Sequence, residues 1–139
     1  MTINYLAVLV AAIVQFIIGA IWYGPVFSKL WGKIHGFDKL SKEEQEVLMK
    51  GVGGLYVVQF IVTIITTFVF ALLLGGFPPE WNIYGLAGFF WIGFVFPTEI
   101  SAVIFSKTES IWRIKQIAIM GGASLLCLES AAFILHTMA

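Results

Sequence analysis

The sequence has a single cysteine, Cys127, which leaves no disulfide framework and no thiolate metal quartet. Lying in an apolar run, Cys127 reads as plain packing. Histidine occurs twice, and no His, Asp or Glu cluster has metal-ligand spacing, so neither a metal site nor a cofactor is expected. Catalytic constellations are missing as well: no Ser–His or Cys–His pairing is suggested by position, and no glycine loop follows a strand. Charge is thin, at 12% of 139 residues, with eight Lys and Arg balancing eight Asp and Glu. The basic residues interleave with Asp38, Glu43, Glu44 and Glu46, or with Glu109, and so form no nucleic-acid-binding face.

The most informative scarcity is positional. Lys29, Lys33, Lys39, Lys42 and Lys50 follow the first apolar run, and Lys107, Arg113 and Lys115 follow the third. The N-terminus, the second polar gap and the C-terminal tail contain no Lys or Arg. Short basic loops stay on the cytoplasmic side of a membrane. The pattern therefore predicts both termini outside and the 26–50 and 106–115 connections inside. Residues 1–4 lack the basic start of a cleavable signal, so the first run is read as a retained span.

Apolar residues supply the rest. They make up 60% of the chain, and its mean hydropathy is +0.96. About 20 consecutive apolar residues suffice to cross a bilayer core. The expectation is an all-α, integral membrane four-helix bundle, one domain over residues 1–139, with spans near 4–23, 55–74, 83–105 and 116–136. The lipid bilayer is then its first partner.

In the first span Ala7, Ala11, Gln15 and Gly19 recur at helical spacing. Such a stripe admits a close neighbouring helix, and Gln15 can hydrogen-bond across the contact. Gly24-Pro25 should end the span, with Pro25 opening a new helix. From there Val26, Phe27, Leu30, Trp31, Ile34 and Phe37 share one face, opposite Lys29 and Lys33. The segment is too short to span, and it predicts an amphipathic helix lying in the cytoplasmic interface. Ser41 and Glu44 fit a capping box that opens a short polar helix. Gly51, Gly53 and Gly54 should loosen the chain before the second span.

Within that span Gln59, Thr63, Thr66 and Thr67 form a polar stripe, expected to face protein rather than acyl chains. Pro97 should kink the third span by freeing the carbonyl of Gly93. Gly85, Gly88, Gly93, Gly121 and Gly122 read as close-packing sites between helices. Tyr5, Trp81 and Tyr84 fall at outer ends; Trp22, Tyr23, Trp31, Tyr56 and Trp112 fall near inner ends, as aromatic belts require.

Two carboxylates lie well inside spans, Glu99 and Glu129. Each must justify an insertion cost on the order of 2.5–3.5 kcal/mol. With a rise of ~1.5 Å per residue they sit at different depths, which disfavours a direct pair. Gln59 is the expected partner of Glu99, and His136 shares a face with Glu129. The set reads either as a broken proton path or as neutral acids each donating one hydrogen bond to another helix.

Gly19-Ala20-Ile21-Trp22-Tyr23-Gly24-Pro25-Val26-Phe27, followed by Trp31, resembles the signature of a bacterial family of small four-span membrane proteins, the domain of unknown function 1761. Asn4-Tyr5-Leu6-Ala7-Val8, Gly54-Leu55-Tyr56 and Trp91-Ile92-Gly93-Phe94-Val95-Phe96-Pro97-Thr98 are similar to it as well. The resemblance implies one four-helix domain in the bacterial inner membrane and supplies no activity. It points to the corner Trp22, Tyr23, Gly24 and Pro25, and to Pro97 and Thr98, as family positions.

Three functions are weighed. The first is a non-enzymatic bundle that associates with itself or a partner through its small-residue stripes. The second is a proton-linked small-molecule transporter using Glu99 and Glu129. It would be a parallel dimer, because an eight-to-zero charge bias argues against two orientations. The third is an enzyme acting on a lipid or quinone near Trp22, Tyr23 and Trp31.

Overall fold

The computed structural model describes residues 2–139, and every regular element among them is helical. Four helical stretches are long and apolar enough to cross a membrane: Tyr5–Val26, Val52–Gly75, Ile83–Ile104 and Ser110–Thr137. The chain folds as α1 (Tyr5–Ile21), α2 (Ser28–Ile34), α3 (Lys42–Lys50), α4 (Val52–Gly75), α5 (Ile83–Phe90), α6 (Phe96–Ile104) and α7 (Ser110–Thr137).

Side chains with local hydrogen-bonding capacity set the helix starts. Asn4 Oδ1 accepts from the Ala7 amide at 3.1 Å and opens α1. Asn82 Oδ1 does the same for α5, accepting from Tyr84 and Gly85. The capping box at α3 is present, with Ser41 and Glu44 each bonding the other's backbone amide. Gly53 and Gly54 differ from expectation. They lie in the first turn of α4 and continue it; the chain bends at Gly51 instead.

Two stretches widen into π-helical turns, Trp22–Val26 and Trp91–Val95. In the first, the Phe27 amide reaches back five residues to the Trp22 carbonyl at 3.0 Å. Pro25 has no amide to give, and Gly24 takes a non-helical conformation at φ −92° and ψ −107°. Pro25 therefore sits inside the wide turn and does not open α2, which begins at Ser28. The expected long amphipathic helix is also cut short. Gly36, at φ 72°, stops it in the left-handed region that glycine tolerates, and a short 3₁₀ turn, Phe37–Lys39, follows.

In the second wide turn the Phe96 amide bonds the Trp91 carbonyl, so the bond lost at Pro97 is absorbed by a turn that starts well before it. The Thr98 hydroxyl adds a bond to the Phe94 carbonyl at 2.6 Å.

Packing centres on α7, which runs along α1 and against α5 and α6, while α4 leans mainly on α1. The core is made of small residues: Ala11, Ala87, Ala131 and Ala132 surround Phe70. Backbones can approach closely there, as van der Waals packing between apolar helices requires. Asn4 Nδ2 donates to the Met138 carbonyl at 2.6 Å, so the first and last described segments meet at one end. At the other end Lys39 pairs with Glu109 at 3.6 Å and ties the two basic connections together. Being exposed, that pair is worth little energy, but it places both connections on one side.

Candidate functional site

Trp22, Trp91 and Glu99 converge on the middle of α7. Gly121 and Gly122 form two adjacent seats there. A Cβ on Gly122 would lie 2.8 Å from Cζ2 of Trp22, and one on Gly121 would lie 2.7 Å from Cε2 of Phe96 and 3.5 Å from Trp91. Each tryptophan also donates its indole N–H to an α7 carbonyl: Trp22 to Ile119 at 2.9 Å, and Trp91 to Gly121 at 3.1 Å. Aromatic partners back the rings. Trp22 and Phe27 have centroids 5.0 Å apart, and Trp91 and Phe96 stack at 4.5 Å. Trp22 is thus a packing and hydrogen-bonding group within the fold.

Both seats grow from one short pattern. Trp22-Tyr23-Gly24-Pro25-Val26-Phe27 and Trp91-Ile92-Gly93-Phe94-Val95-Phe96 share W-x-G-x-V-F, half a chain apart. In each copy the tryptophan and phenylalanine are five residues apart, which a π-helical turn brings over one another. The repeat is visible in the sequence, and reading the two segments separately missed it.

A polar line starts at the second seat. Trp91 Nε1 also lies 2.9 Å from Ser124 Oγ, which in turn lies 3.1 Å from Glu99 Oε2. The Ser124 proton has a second acceptor in the Gly121 carbonyl, also at 3.1 Å. Cys127 Sγ contacts the Gln15 carbonyl at 3.7 Å. On the far side of α1, Gln15 Nε2 donates to Thr67 Oγ1 at 2.7 Å, the cross-helix bond expected of it. The site is a set of part-buried polar contacts between α1, α4, α6 and α7.

Other candidates fall elsewhere. Gln59 does not meet Glu99: it is exposed on α4, and its amide bonds only Thr63, one turn along the same helix, at 3.4 Å. The two share a depth, but α4 turns Gln59 outward. Glu129 is half-buried toward α5, where a Cβ on Gly88 would lie 3.7 Å from its Oε1. His136 is exposed at the end of α7 and makes no hydrogen bond to Glu129 among the described residues. Thr98 and Pro97 are exposed and serve the wide turn. Gly19 and Gly93 would meet nothing within 4 Å, and Gly85 faces only its own cap, Asn82. None of these three is a close-packing site.

The described residues contain no group of three or more His, Cys, Asp or Glu placed to hold a metal ion. Compared with known proteins, residues 6–136 match the family described as "Protein of unknown function (DUF1761)". No curated protein and no solved structure matches the chain.

Proposed function

The chain belongs to the DUF1761 family, whose description carries no activity, and we propose that it is a non-enzymatic, self-associating helical bundle of the bacterial inner membrane. In this reading both termini face outward and the basic connections face the cytoplasm, as the charge asymmetry favours. The half-buried face of α2, with Leu30, Trp31 and Ile34 inward and Lys29 and Lys33 exposed, lies along the inner interface.

One observation carries the association. Gln59 of α4 is exposed on a face otherwise made of Leu55, Val58, Val62 and Val69, whereas the neighbouring Thr66 hydroxyl is satisfied by the Val62 and Thr63 carbonyls of its own helix. Water would satisfy the Gln59 amide fully, but hydrocarbon cannot. In the small-residue stripe of α1, Ala7 and Ala11 are already buried within the subunit. The exposed Gln59 amide of α4 is the polar group left for a contact between subunits. The occupant is a second copy in the same orientation. A two-fold axis along the membrane normal brings Gln59 against its own copy at equal depth. A glutamine amide both donates and accepts, so the pair satisfies itself.

Interhelical hydrogen bonds in membranes are worth roughly 0.6–2 kcal/mol. Gln59→Leu should therefore weaken dimerisation by roughly threefold to thirtyfold, read as the monomer–dimer equilibrium in detergent or by single-molecule counting in liposomes. An unchanged equilibrium would remove this reading.

A second reading, proton-linked transport by the same dimer, rests on Glu99 accepting from Ser124 inside the apolar interior. Glu99→Gln would then abolish flux in proteoliposomes while leaving assembly intact. Unchanged flux, or no flux in the wild type, removes it.

A further inference from the structure

A cavity of about 340 Å³ opens at the end of the molecule where Asn4 meets Met138. Its walls come from the start of α1, the last turns of α4 and α7, the first turn of α5 and the 76–82 loop. Ala7, Leu74, Leu86 and Leu135 make the interior apolar, and Asn4 and His136 stand at its edge. A concave, largely apolar site with a few polar groups, in this size range, is the usual form of a small-molecule site.

Its rim has a definite chemical character. The Trp81 amide bonds the Pro78 carbonyl at 3.0 Å, closing a tight turn with Pro79 and Glu80 at its corner. That turn sets Phe77 and Trp81 together, their ring centroids 5.2 Å apart, and both line the cavity. Trp81 is 53% exposed, so its ring is open to an incoming group. Glu80 is the one carboxylate of the loop, and no Lys or Arg occurs in residues 1–28, 51–106 or 116–139. Aromatic faces and a carboxylate attract cations.

We propose that this cavity binds a small lipophilic cation, its apolar body against Leu74, Leu86 and Leu135 and its charged end against Trp81 and Phe77, in the field of the Glu80 carboxylate. Glu80 belongs to the same turn but does not line the cavity. The proposal is independent of the dimer, because the cavity lies within one subunit and Gln59 lines no part of it.

The test uses a matched pair of probes, phenyltrimethylammonium and its neutral isostere tert-butylbenzene, with the purified full chain in nanodiscs at pH 8. Binding is followed by calorimetry or saturation-transfer NMR. The expected result is saturable binding of the cation, at least tenfold tighter than any binding of the isostere. Trp81→Ala and Glu80→Gln should each weaken it about fivefold or more. Ala71→Phe, which fills the cavity from α4, should abolish it while the circular dichroism and elution volume stay those of the wild type. Equal binding of the neutral isostere overturns the cationic assignment, and full-affinity binding to a folded Ala71→Phe chain overturns the site. If Ala71→Phe does not fold, Leu135→Phe fills the same space from α7 and decides the point. An absence of saturable cation binding overturns the whole proposal.

Discussion

The indole of Trp22 occupies the space a side chain on Gly122 would need: a Cβ there would stand 2.8 Å from ring atom Cζ2 and 3.2 Å from Cη2. The ring cannot retreat freely, because its N–H is bonded to the Ile119 carbonyl one turn earlier on α7. The glycine and the tryptophan are therefore one feature, not two.

Gly122→Val should destabilise the fold by about 1–3 kcal/mol, the usual cost of overpacking a well-filled interior. Gly19→Val, on the same α1 surface but with nothing within 4 Å, should stay within about 0.5 kcal/mol of wild type. Thermal unfolding of both variants in one detergent checks the contrast. Equal melting temperatures would contradict the seat.

Trp22→Phe keeps much of the ring and removes the indole N–H. The lost bond and the unpaired space should cost about 1–2 kcal/mol. Trp91→Phe should cost at least as much, since that N–H serves both Gly121 and Ser124. Combining either change with Gly122→Val should be less than additive only for Trp22, the ring that meets Gly122.

Glu99→Gln retains a carbonyl oxygen able to accept from Ser124 and should leave stability within about 1 kcal/mol, whereas Glu99→Leu removes the acceptor. Ser124→Ala should narrow the difference between those two variants. Melting temperatures across the four chains give the coupling directly.

Much of this architecture could be read from composition and spacing. Four apolar stretches, the capping box at Ser41 and Glu44, and the cross-helix reach of Gln15 all appear as local signals; the ends are less exact, since the fourth helix begins at Ser110 and not near 116. Which face of each apolar helix packs was harder to read, for a physical reason. A helix that is apolar all round has no amphipathic stripe to mark its buried side. Gln59 shows the consequence: its spacing with Thr63 and Thr67 places it in a polar stripe, but only Thr67 is buried, at 2% exposure. The stripe winds from the interior to the outside of α4 along its length.

The candidate site was legible in its residue types and not in its pairings. Depth alone pairs Glu99 with Gln59, whereas its partner in the structure, Ser124, is a small residue that carries no sequence signal of its own. The glycine seats required seeing that W-x-G-x-V-F occurs twice and that each copy makes a wide turn. Proline marked both places, yet a kink and a π-helical turn leave the same trace in a sequence.

Removing positive charge from the basic connections should loosen the orientation before it harms the fold. With Lys29, Lys33, Lys39, Lys42 and Lys50 changed to Gln, a reporter at the C-terminus should show a mixed population in place of one orientation. Retention of a single outward C-terminus would mean that Lys107, Arg113 and Lys115 suffice.

The most direct test of the association is cysteine cross-linking in native membranes, on a Cys127→Ala background. Gln59→Cys should form a disulfide-linked dimer under mild oxidation, because the two-fold axis brings each copy of position 59 against the other. Phe133→Cys, on the exposed face of α7 at 53% exposure, should not. No dimer at position 59, or equal cross-linking at 59 and 133, would contradict a parallel dimer built on α4.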